Sequence, residues 1–95
     1  MRLTDDQKEI CRQAVEKFGR RRQVRKVAEE LRELADELEL VSLGESSLER
    51  LIDERADVAI MLYQLDELIL PSVARRVLSH IPSKIHKLET YLGEA

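Results

Sequence analysis

Residues 54–65, ERADVAIMLYQL, place the tightest limit on what this chain can become. Apolar side chains fall on nearly every side of the helix this segment would form, so it needs neighbours on several flanks. Asp57 stands inside the run and Glu54 lies one turn before it, roughly 60° around the same face. A carboxylate left unpaired in apolar surroundings is strongly disfavoured, so a buried acid here calls for a partner or a metal ion.

The remainder of the chain reads as helix. Its 95 residues make one domain, 1–95, with 43% hydrophobic residues but only 3% aromatic, so the core is aliphatic. Few glycines and prolines and 37% charged residues favour long helices over strands. Thr4, with Asp5, Asp6 and Gln7 behind it, predicts an N-cap and capping box, and Gly19 predicts the stop of that first helix. A second helix spans about residues 21–41, with an apolar stripe of Val24, Val27, Ala28, Leu31, Leu34, Ala35, Leu38 and Val41 expected to face the core. Beside it runs a polar stripe, Gln23, Lys26, Glu30, Glu33 and Glu37. Residues 42–47 form a loop, with Ser46 the expected cap of a third helix running to Ile69. Pro71 interrupts the pattern. A short helix over Val73–His80 is expected next, and Pro82 is expected to open a last helix ending near Leu92.

The fold class predicted is all-α: an antiparallel helical bundle whose four-helix core is completed by oligomerisation, because one neighbour cannot cover the third helix. A homodimer or homotetramer follows. A net charge of −3 argues against a nucleic-acid partner, and no apolar run is long enough for a membrane span. The lone Cys11, without an internal disulfide partner, and the absence of a signal-like segment predict a cytoplasmic protein. Cys11 reads as a packing residue, and His80 and His86 lack the companions of a zinc site.

Two acidic pairs with i, i+3 spacing stand on consecutive helices: Glu30 and Glu33, then Glu54 and Asp57. If antiparallel packing brings them together, four carboxylates converge, and oxygen ligands of this kind suit Mg²⁺ or Mn²⁺. Such sites commonly serve phosphoryl chemistry.

Residues 29–33, EELRE, followed by ERAD at 54–57, resemble the EExxE…ExxD pattern of the MazG-like nucleoside triphosphate pyrophosphohydrolases. Gly19 with Gln23 is similar to the GxxxQ of short, phage-type members, and Lys84 with Leu88 to their C-terminal K-x-x-[KR]-L element. The resemblance covers nearly the whole chain. It implies an all-α enzyme that splits a (d)NTP into the monophosphate and pyrophosphate. It further implies that Glu30, Glu33, Glu54 and Asp57 hold Mg²⁺ and that Glu29 activates or orients the attacking water. Lys84 and Lys87 would meet phosphate oxygens with help from Lys26, and Gln23 would touch the nucleotide. The chain departs from the pattern at Arg32, where many relatives have Gly, and its supply of aromatics for base stacking is poor. The related phosphoribosyl-ATP pyrophosphohydrolases are a second option, weakened by Gln64 where they usually carry His. A non-enzymatic helical interaction module, its acids paired with Arg20, Arg21, Arg22 and Arg25, is the reading from another class.

Overall fold

Thr4 closes the start of the first helix as its sequence requires. Its hydroxyl accepts from Gln7 N–H, and the Gln7 side chain accepts from Thr4 N–H, completing the capping box. The computed structural model describes residues 2–94. They form α1 (Asp5–Phe18), α2 (Arg20–Ser42), α3 (Leu48–Tyr63), a π-helical segment (Gln64–Ile69) and α4 (Pro71–Glu94), with no strand among the described residues. The all-α expectation holds.

Gly19 separates α1 from α2 at φ +86°, a backbone conformation that glycine adopts without strain. Its N–H bonds Val15 O, ending α1, while its carbonyl accepts Gln23 N–H, opening α2. No acid stands in the first turn of α2 and no side chain caps it. The cations Arg20, Arg21 and Arg22 therefore crowd the positive end of the helix dipole.

The most extensive packing is α2 against α3. Contacts run in opposite order along the two helices, from Gln23 with Gln64 at one end to Glu37 with Arg50 at the other, so they are antiparallel. Residues 43–47 connect them, with Gly44 at φ +71°. The cap of α3 is Ser47, whose hydroxyl accepts Arg50 N–H at 3.1 Å, and not the expected Ser46. Ser46 instead donates to the buried Glu37 carboxylate across the hairpin, a stronger use of a hydroxyl than a local cap.

One further expectation is corrected. The inward face of α2 carries Gln23, Val27, Glu30 and Glu37, three of them from the polar stripe. Val24, Leu31, Leu38 and Val41 of the apolar stripe face outward. The buried apolar core is correspondingly small: Cys11, Val27, Val58, Met61 and Ile69. Cys11 packs inside as expected.

The third helix does not continue regularly to Ile69. After Tyr63 it widens into the π-helical segment, closed by Leu70 N–H to Leu65 O at 2.8 Å. Beyond it, α4 is one 24-residue helix running through Pro82, not two helices broken there. The apolar spacing Val77, Ile81, Ile85, Leu88 stays in phase across the proline, whose missing N–H removes one backbone hydrogen bond without ending the helix. No residue of α4 is buried, and its substantial packing is with the π-helical segment alone. The Cα radius of gyration, 16.2 Å, reflects this projecting arm; a compact chain of the same length would have roughly 12 Å. A single chain thus packs α1, α2, α3 and the π-helical segment together and leaves α4 outside.

Candidate functional site

Glu30 and Glu33 sit one turn apart on α2, and the antiparallel hairpin sets Glu54 of α3 against them. One carboxylate oxygen from each lies within 4.8 Å of the others. Glu30 is only 6% exposed, Glu54 is half-buried and Glu33 reaches solvent. The group is therefore a recess opening at Glu33, lined by negative charge.

Charge balance inside the recess is incomplete. Lys26 Nζ lies 3.1 Å from Glu30 Oε1 and 3.5 Å from Glu29, and the hydrogen bond to Glu30 is the main reason its ammonium pKa is raised. Nothing answers the other side: Glu30 Oε2 and Glu54 Oε2 are buried without a hydrogen-bond partner. A buried, unpartnered carboxylate oxygen is costly. The Glu33 carboxyl pKa is raised, chiefly by the Glu30 charge, then by loss of solvent and the nearby Glu54 and Glu29. Three clustered carboxylates, two of which carry an orphaned oxygen, fit a divalent cation such as Mg²⁺ or Mn²⁺ on chemical grounds.

Asp57 is placed differently from its expected setting. It is exposed, one turn beyond Glu54 on α3, and stands outside the three-carboxylate group. The acids that burial leaves in need of a partner are Glu30 and Glu54 instead. Glu29 is exposed and held by Lys26 at the rim.

Gln23 lies two turns before Glu30 on the same inward face of α2. Its Nε2 donates to Gln64 Oε1 at 2.7 Å, with both side chains buried. A cavity of about 400 Å³ opens here, lined by Phe18, Arg22, Gln23, Arg25, Lys26, Glu29 and Met61. The Arg22 guanidinium stacks 4.7 Å from the Phe18 ring centroid. The cavity thus shares Lys26 and Glu29 with the acidic recess and adds an aromatic surface and further positive charge. Lys84 and Lys87 are exposed on α4, and a single chain does not pack α4 against α2 or α3.

The sequence does not single out Phe18 or Glu37 as site residues, marks Gln64 only as a departure from the phosphoribosyl-ATP enzymes, and offers Arg22 only as an ion-pair partner for the acids. Glu37 carried the one usable signal, since it continues the spacing of Gln23 and Glu30 on the face now seen to be inward. No family model, curated protein or solved structure matches this chain. Among the described residues, no helix is long and apolar enough to cross a membrane.

Proposed function

We propose that this protein is a metal-dependent nucleoside triphosphate pyrophosphohydrolase, converting a (d)NTP and water to the (d)NMP and pyrophosphate. The observation that carries the reading is the pair of buried, unpartnered oxygens, Glu30 Oε2 and Glu54 Oε2, on two carboxylates that cluster with Glu33. Such a site lowers its free energy by taking up a divalent cation. The resemblance of EELRE and ERAD to the MazG-like pattern supplies the substrate class.

Glu30, Glu33 and Glu54 would hold Mg²⁺ or Mn²⁺, with the exposed Asp57 at the outer edge. The ion, when bound, supplies charge neutralisation at the phosphoryl oxygens and a more acidic water. The chain's own residues do the rest. Lys26, tethered to Glu30 and Glu29, meets a phosphate oxygen at the mouth of the recess. Glu29 orients the attacking water and accepts its proton as the water oxygen bonds to the α-phosphorus. The bond from that phosphorus to the bridging oxygen breaks, and the electron pair leaves with pyrophosphate. Gln23 and the adjoining cavity, with Phe18 and Arg22, take the nucleoside. Lys84 and Lys87 have no role in this scheme within one chain.

The test is pyrophosphate release from a panel of common nucleotides in Mg²⁺ or Mn²⁺. Turnover of at least one nucleotide is expected, with Glu30→Gln and Glu54→Gln each lowering kcat by more than about 100-fold. Absence of pyrophosphate release from every nucleotide with either metal contradicts the proposal.

A further inference from the structure

We propose that α4 of one copy packs antiparallel along the outward face of α2 in a second copy, so that two chains exchange their α4 helices. Two apolar seams in the molecule lack a partner. On α2 the seam is Val24, Ala28, Leu31, Ala35 and Leu38, with Val24 39%, Leu31 43% and Leu38 49% exposed. On α4 it is Leu78, Ile81, Ile85, Leu88 and Leu92, from 44% exposed at Ile81 to 71% at Leu78. Each runs about 21 Å at 1.5 Å per residue. Continuous apolar seams of this length on a soluble surface mark an interaction site.

The seams fit each other in one direction. Along α2 the steps are four, three, four and three residues, and α4 has the same series when read from Leu92 back to Leu78. Antiparallel alignment therefore stacks Val24 on Leu92, Ala28 on Leu88, Leu31 on Ile85, Ala35 on Ile81 and Leu38 on Leu78. The two alanines fall opposite large side chains, the alternation of volume that close helix packing needs.

Charge selects the same direction. Arg25 and Glu39 border the α2 seam on one flank, and Arg75 and Glu89 border the α4 seam. The antiparallel alignment brings Arg25 to Glu89 and Glu39 to Arg75. A parallel alignment would turn Arg25 and Glu39 toward the other flank of α4, which carries Val77, Lys84 and Tyr91, and would leave both pairs unmade. A chain's own α4 packs substantially only on the π-helical segment, so neither seam is covered within one chain, and a second copy would supply both complements at once. Reciprocal exchange gives a closed two-fold dimer with two identical contacts.

This inference does not depend on the catalytic reading, and its test needs neither metal nor nucleotide. Ala28→Cys with Leu88→Cys should crosslink under mild oxidation to twice the 11.0 kDa chain mass. Ala28→Cys with Ile81→Cys, displaced by about 10 Å, should not, and neither should wild type with its buried Cys11. By sedimentation, Glu89→Arg should weaken the dimer roughly tenfold, and Arg25→Glu added to it should restore the affinity. Glu89 is exposed, so the first change leaves the fold intact, as circular dichroism can verify. A wild type that stays monomeric at millimolar concentration, a crosslink within one chain, equal crosslinking by both cysteine pairs, or no charge-swap rescue overturns the proposal.

Discussion

Gln23 Nε2 donates a 2.7 Å hydrogen bond to Gln64 Oε1, and these two buried amides tie the start of α2 to the first residue of the π-helical segment. Removing one partner strands the other in the interior. Gln23→Leu or Gln64→Leu should each cost about 1–3 kcal/mol, whereas the double variant should lose clearly less than the sum. Urea denaturation of the four proteins measures this coupling. Additive losses would mean the amide contact contributes nothing of its own.

Glu37 is only 5% exposed, and its partners come from across the hairpin: the Ser46 hydroxyl and, at 4.0 Å, the Arg50 guanidinium. Ser46→Ala should destabilise by about 1.5–3 kcal/mol, the range for a hydrogen bond to a charged group. Ser46→Thr should retain most of the stability. Arg50→Gln should cost less than about 1 kcal/mol, because the guanidinium is more than half exposed. Thermal or urea unfolding of the three variants orders the contacts.

On α1, Arg12 beside Glu9 holds that carboxyl at about 2, well under its ordinary 4.5, and the Arg12 pKa is raised in turn. A folded-state pKa below the unfolded one stabilises above the unfolded value and is lost as pH falls through the folded value. The melting-temperature gap between wild type and Glu9→Gln should therefore be present at pH 7 and close between about 4.5 and about 2. Both partners are exposed, so the gap should be small and should shrink in high salt. A gap unchanged across that window would rule out the pairing as its source.

The acidic recess carries a stability cost that a surface cluster would not. In the absence of metal, Glu33→Gln should raise the melting temperature at neutral pH by relieving its repulsion with Glu30 and Glu54. The sign follows from the raised Glu33 pKa: ionisation is disfavoured in the folded state, so the charged form at pH 7 opposes folding. Thermal melts in a chelator measure it. A lower melting temperature for the variant would show that Glu33 supports the fold through another contact.

Much of this was legible in the chain because local chemistry set it. Thr4 with Gln7 and the stop at Gly19 depend on neighbours in sequence, and both stand where expected. Convergence of Glu30, Glu33 and Glu54 followed from spacing on two helices joined by a short loop. Misplaced features were those that depend on which face turns inward. The apolar stripe of α2 was assigned to the core because apolar faces usually bury, yet one chain buries Gln23, Glu30 and Glu37 and leaves Val24, Leu31 and Leu38 outside. Asp57 was assigned a buried setting for the same reason. Periodicity gives the contrast between faces but not which neighbour each face meets. Ser46 is the better cap by local pattern, with Glu49 three residues on to complete a capping box, but the Glu37 carboxylate across the hairpin takes its hydroxyl and Ser47 caps the helix.

The account rests on Glu30, Glu33 and Glu54 forming a site for a divalent cation. Titrating Mn²⁺ into the protein by calorimetry, with wild type beside Glu54→Gln, tests this most directly. Saturable binding by wild type and at least about tenfold weaker binding by the folded variant is the expected result. Equal affinity in both proteins, or no binding to wild type, would contradict it.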